Sequence, residues 1–151
     1  MMTRKQHVDY WLHGAAESMK DMRAAIKSKR RPNAMFCGHL AVEKTLKALC
    51  AVRGKRIYRE HNLLKLAKEA NLIATLTTEQ QEELLIITGF NIEARYDDYK
   101  LRFHAICTPQ YVKIWSKNIM LWHRALKAII VQERAMLPNN VPDTQLSINR
   151  H

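Results

Sequence analysis

A chain of 151 residues with an apolar fraction of 47% is long enough for one domain with its own core and too apolar to be disordered through its bulk. It carries 25 Lys and Arg against 14 Asp and Glu, a net +11, and residues 1 to 60 alone hold 14 basic and 5 acidic side chains. No apolar run approaches the roughly 18 residues needed to cross a bilayer, and the start MMTRKQHVDYW has no apolar signal core, so neither a membrane span nor a secretory leader is expected and the cytoplasm is the expected location. Cys37, Cys50 and Cys107 are odd in number and lack C-x-x-C spacing, which points to reduced thiols on helices; no metal site and no cofactor are expected.

Thr3-Arg4-Lys5-Gln6 is a capping-box pattern, and Val8, Trp11, Leu12, Ala15, Met19, Met22 and Ile26 follow at three- and four-residue steps, which predicts an amphipathic helix to about Ser28. Pro32 then favours the start of a second helix running to about Val52, with Gly54 as its stop. Met35, Phe36, Leu40, Val42, Leu46 and Leu49 form its buried side; Glu43, Lys44 and Lys47 are read as its wet side. His39 is expected to be a partly buried histidine bonded to a neighbouring segment. His61-Asn62 starts a short helix carrying Leu63, Leu64, Leu66 and Ala67 and ending near Ala70 or Asn71; His61 itself is read as bonding to backbone at that start. Thr78-Glu79-Gln80-Gln81 is a further capping box, and the helix it opens, with Leu84, Leu85, Ile87 and Phe90, leads into the segment from Asn91. Gly89 is read as a kink or a close contact. Thr108-Pro109 opens the last long helix, marked by Val112, Trp115, Ile119, Trp122, Leu126 and Ile129 up to about Leu137. Its apolar face is wide enough to be central in a bundle or shared with a second subunit. The tryptophans Trp11, Trp115 and Trp122 read as core or dimer contacts. From Pro138 the sequence PNNVPDTQLSINRH reads as a flexible tail, so the expected division is a bundle over 1–137 and a tail over 138–151.

Two basic loops, Lys27-Ser28-Lys29-Arg30-Arg31 and Arg53-Gly54-Lys55-Arg56 with Arg59, flank the second helix and would attract phosphates or an acidic partner. The densest polar-aromatic stretch is Asn91 to His104, NIEARYDDYKLRFH. Successive helical residues point about 100° apart, so Arg95, Tyr96, Asp97, Asp98 and Tyr99 cannot share one environment, and several should line a junction.

Three runs resemble the HEPN family of small all-helical domains: Ala41-Val42-Glu43-Lys44-Thr45-Leu46-Lys47-Ala48-Leu49 followed by Gly54, then His61-Asn62-Leu63-Leu64-Lys65-Leu66, then Ala94-Arg95-Tyr96-Asp97-Asp98. They occur in family order, and the resemblance covers roughly Val8 to Leu137. It implies an all-α, up-and-down bundle of about five helices, a homodimer, and a module that binds RNA or a nucleotide, often beside a minimal nucleotidyltransferase as a toxin and antitoxin or similar pair. Family members that cut RNA use an Arg and a His from each of two chains and need no metal. By that resemblance Arg95 is the arginine. The family's histidine would fall at Lys100, Leu101 or Arg102, His104 is the nearest candidate, and Asp97 stands where many relatives have a proline.

Three readings of this stretch remain open. Arg95 pairs with Asp97, Asp98 or Glu43 while the tyrosines fill space between helices. Alternatively, Arg95, Lys100 and Arg102 bind phosphates with Tyr96 and Tyr99 as stacking surfaces, helped by Lys29, Arg30, Arg53 and Arg56 in the loops. In the third, Arg95 and His104 make a metal-independent ribonuclease. A non-catalytic module whose basic face docks an acidic protein is the alternative of a different class. No glycine-rich phosphate loop, H-E-x-x-H or G-x-S-x-G is present.

Overall fold

The computed structural model describes residues 2–57, 59–94 and 97–143, the side chains of Asp97 and Asp98 excepted. These residues fold as helices α1 (Arg4–Lys27), α2 (Arg31–Val52), α3 (Leu63–Glu69), α4 (Thr78–Glu93), α5 (Asp97–Ile106) and α6 (Pro109–Ala135), with a 3-10 turn, Ile73–Thr75, between α3 and α4. None of the described helices is long and apolar enough to cross a membrane.

Polar caps set the boundaries. The Thr3 hydroxyl accepts from the Gln6 amide while the Gln6 side chain accepts from the Thr3 amide, at 3.1 and 2.9 Å. Asn62 caps α3 by accepting from the amides of Leu64 and Lys65, and Thr108 caps α6 with Pro109 as its first residue. At the start of α4 the capping box is Thr77 with Gln80, one residue earlier than the expected Thr78 with Gln81. Thr77 is the threonine in extended conformation, so its hydroxyl can turn back onto the first turn. Gly54 ends α2 at a φ of +65°, a left-handed conformation that suits glycine, and the next amide, of Lys55, closes onto the Cys50 carbonyl.

The centre of the bundle is α2, not the last helix. It packs against each of the other five α-helices, and 16 of its 22 residues are buried. Gly38 lets α6 approach: a methyl group there would lie 2.5 Å from Ile119 Cδ1 and 3.0 Å from Met22 Sδ. Gly89 has no such contact, its added methyl meeting only Glu93 Oε1 at 3.9 Å, so the expectation of a close contact there moves to Gly38. By contrast α6 buries one stripe, Val112, Ile119, Trp122, Leu126 and Ile130, and leaves Ile114, Leu121 and Val131 about half exposed.

Because α2 is enclosed, the side of it read as wet is buried. Glu43 and Lys47 are 4% and 6% exposed. One Glu43 oxygen accepts from the Lys47 ammonium at 3.1 Å and the other bonds His61 Nδ1 at 2.8 Å. The expected backbone bond of the His61 side chain is thus replaced by a carboxylate, and it is the His61 carbonyl that faces His39 Nε2, at 2.9 Å. Since a carbonyl only accepts, His39 carries its proton on Nε2. Its Nδ1 has no hydrogen-bond partner among the described residues. The Lys47 ammonium also lies over the Trp11 ring, 5.1 Å from its centre. Lys44 is half-buried and donates to Ser18 on α1.

The same polar chain continues to the far end of the sequence. Trp11 Nε1 donates to His7 Nε2, so His7 is protonated on Nδ1, and that nitrogen meets the buried Asp143 carboxylate. Thr3 pairs with Pro142, the Arg4 amide donates to the Val141 carbonyl, and the Asp143 amide donates to the Met2 carbonyl. Residues 139–143, expected to lie outside the bundle as tail, are therefore tied along the start of α1, with Lys5 bonded to Asn139. The amphipathic-pattern argument fails here because these contacts are backbone bonds and two polar side-chain bonds, His7 to Asp143 and Lys5 to Asn139. Residues 144–151 lie outside the described set.

Three consequences are measurable. Gly38→Ala overpacks the α2–α6 crossing and should cost about 1–3 kcal/mol, read as a lower urea midpoint; an unchanged midpoint would mean that Ile119 repacks freely. Glu43→Ala strands the Lys47 charge and should cost about 3–5 kcal/mol, most of it recovered when Lys47→Met is added; equal losses in the single and double variants would remove the ion pair as the cause. Burial pushes the pKa of His39 below 6.5, against the raising pull of the His61 carbonyl and Glu43. The unfolded chain then takes up this proton more readily than the folded one, so stability is full above about pH 6.5 and falls as pH drops below it. Denaturation midpoints across pH 8 to 5 check the sign, and a flat profile would contradict it.

Candidate functional site

Only the first three residues of the dense stretch, Asn91 to Glu93, continue α4. That helix ends at Glu93, and a separate helix, α5, begins at Asp97. Arg95 and Tyr96, the residues between them, lie outside the described set, so the pairing expected for Arg95 and the stacking expected for Tyr96 are not described. On the Glu43 side the described partners are Lys47, His61 and His39.

What holds α5 is an aromatic cluster. Phe103, fully buried on its inner face, lies 5.6 Å from Phe90 of α4, and Phe90 meets Tyr111 and Trp115 of α6 edge-on at 6.2 and 5.7 Å. Cys107 follows on the same side, and burial pushes its thiol pKa up to about 12. Cys50 is pushed equally high by burial and Cys37 is raised by it, so all three buried thiols are held protonated. Burial also raises Tyr111, to about 12, and Glu93.

With Phe103 fixed inward, Lys100 and His104, one helical turn apart, share another face of α5. That face borders an open groove of about 640 Å³. The start of α2 supplies the opposite wall with Arg30, Pro32, Asn33 and Phe36, and Ala94 at the end of α4 closes one side. The fold therefore brings Arg30 from the first basic loop to Lys100 and His104 from the dense stretch. At the same place α2 has no side-chain cap and no acidic residue in its first turn. The positive end of its dipole is therefore left without a side-chain cap or a local carboxylate to offset it.

Other residues expected at the site are elsewhere. Arg102 points away from Lys100 and His104 by roughly half a turn of α5 and is exposed, as is the neighbouring Leu101. Tyr99 is half-exposed beside Lys100 and does not line the groove. Lys29 is an exposed loop residue at a φ of +60°. Arg53 and Arg56 lie at the other end of α2, about 33 Å away by helix rise. Arg53 grips Glu133 of α6 with two nitrogens at 3.0 Å each and gives a third bond to the Ala70 carbonyl at 2.7 Å, so its guanidinium is a tie among α2, α3 and α6. Arg56 is exposed and has an interaction of its own. Sequence reasoning missed Asn33 as a groove residue and counted Phe36 as core; the signal available was their place in the first turns after an uncapped Arg-Pro start.

Comparison with curated proteins and with solved structures yields no match. Comparison with protein families matches the HEPN domain over residues 8–118, a span that holds most of α1, all of α2 to α5, the start of α6 and all three of the runs that carry the resemblance. On that match, over well more than half its length, the chain belongs to the HEPN domain family.

Proposed function

We propose that this HEPN domain binds RNA or a nucleotide in the groove between the start of α2 and α5. The observation that carries the reading is the convergence of Arg30, Lys100 and His104 on a groove that also receives the uncapped N-terminus of α2. A net charge of +11 adds a long-range pull on phosphates. Arg95 follows Ala94, which borders the groove, and is assigned to the same site by its place in the chain. Tyr96 joins it as a stacking surface. Lys29 is assigned to the approach, and Arg53 is left out because Glu133 and Ala70 already hold it.

The domain would act as a homodimer, with the half-exposed Ile114 and Leu121 on α6 as its apolar contact, in the cytoplasm and beside a minimal nucleotidyltransferase in a toxin–antitoxin-like pair. A second reading is favoured by the presence of His104 in the groove: a metal-independent endoribonuclease in which His104 moves the proton of the attacking 2′-hydroxyl and Arg95 stabilises charge on the phosphate.

Binding of a labelled single-stranded RNA tests the first reading. Arg30→Ala and Lys100→Ala should each weaken binding and lower the slope of log affinity against log salt by about one, while Arg102→Ala leaves both nearly unchanged. Equal losses in all three would mean diffuse attraction rather than a groove. Incubating RNA with the protein in excess EDTA tests the second: cleavage lost in both Arg95→Ala and His104→Ala supports an active nuclease, and intact RNA with wild type leaves binding as the function.

A further inference from the structure

A second groove, sharing no residue with the first, runs between α1 and α6 and has a volume of about 470 Å³, within the range of small-molecule pockets. Met19, Met120, Ala128 and Val131 give it apolar walls, and Arg23, Arg124 and Lys127 bring three positive charges to it. No carboxylate lines it, and among the described residues none of the three cations forms a salt bridge. Arg53 with Glu133 and Arg134 with Asp9 are cations paired elsewhere in the fold, whereas Arg23, Arg124 and Lys127 are exposed around this groove. Three like charges around one apolar cleft raise the local positive potential and favour the entry of an anion.

The remaining wall is His123, whose proton can be placed. Thr45 has one hydroxyl proton and donates it to the Ala41 carbonyl at 2.7 Å, so at its 3.0 Å contact with His123 Nδ1 the hydroxyl must accept. His123 thus carries its hydrogen on Nδ1, and Nε2, at the other edge of the ring, is a bare acceptor. Burial, then Lys127 and Arg23, push the pKa of His123 below 6.5, which keeps the ring in this neutral form near neutral pH. The groove therefore presents three cationic donors and a single acceptor.

A phosphomonoester matches that set. Its second ionisation lies near pH 6, so about a tenth of it is monoanion at neutrality, and that form has oxygens for Arg23, Arg124 and Lys127 and one P–O–H hydrogen to give to Nε2. A phosphodiester such as an RNA backbone has no hydrogen to donate, and neither has sulfate. We propose that the α1–α6 groove binds a small phosphomonoester with an apolar body, its phosphate held by Arg23, Arg124, Lys127 and His123 and its body lying against Met19 and Met120. This site is separate from the RNA or nucleotide groove and stands whether or not that reading holds.

The test uses the whole chain at pH 7, following the imidazole resonances of His123 and His104 by NMR with phenyl phosphate, inorganic phosphate and diphenyl phosphate as probes. Phenyl phosphate should shift the His123 signal saturably and bind more tightly than inorganic phosphate, which lacks the apolar body. Diphenyl phosphate should bind about tenfold more weakly or worse, and Arg124→Gln and Lys127→Gln should each weaken phenyl phosphate by about tenfold, with helix content by circular dichroism showing that the variants fold. Equal binding of the diester, a shift that never saturates, affinity unchanged in both variants, or a response at His104 without one at His123 would each overturn the proposal.

Discussion

Glu43 and Lys47 lie on a helix that five others enclose, and each is almost inaccessible to solvent. An ionised carboxylate in such a place is tolerable only if its oxygens are occupied, and here both are, by Lys47 and His61. Much of the bundle is positioned by that requirement. His61 is drawn in at the start of α3, its carbonyl then satisfies His39, and Lys47 is carried under the Trp11 ring of α1. Trp11 in turn fixes the tautomer of His7, and His7 holds Asp143. One buried acid thus fixes the entry of α3, the packing of α1 and the docking of the segment after α6.

The residues that make this centre are among those that carry the family resemblance, Glu43, Lys47 and His61, and in the described structure they are engaged with one another. The groove assigned to RNA or a nucleotide has a different character. It lies where α2 starts and α4 ends beside α5, it is open, and its basic residues come from one loop and one short helix. Helix α5 can present Lys100 and His104 there because Phe103 anchors its other side in the Phe90 cluster, so the aromatic residues set the direction in which the polar ones face.

Helix boundaries were legible in the sequence at the polar caps Thr3, Asn62 and Thr108, since the cap is a local device and needs no knowledge of neighbours, and at α4 the adjacent threonines Thr77 and Thr78 left the cap one residue off. The burial of Glu43 and Lys47 was not. Periodicity assigns charged residues to water, and only the presence of partners on α1 and before α3, supplied by the tertiary fold, reverses that. A bend at Asp97-Asp98 could be suspected only from the proline that many relatives carry there, because no glycine or proline of this chain marks the break before α5. The docking of residues 139–143 rests on backbone bonds, which leave no trace in side-chain pattern. Of the candidate site, the chemistry of Arg30, Lys100 and His104 could be read in advance. Their meeting, and the separation of Arg102 and Arg53 from them, depends on helix phase and on Glu133, which lies 80 residues from Arg53.

The pairing of Thr3 with Pro142 has a consequence for how the chain could be rewired. It brings the two ends of the described polypeptide side by side and closes nearly the whole bundle into a ring. A short linker from residue 143 to residue 2 would complete that ring covalently, so new ends could be opened at an exposed turn such as the one around Asn71 with every helix kept intact. Conversely, because the loop it closes is so long, this contact carries the largest closure entropy of any in the fold.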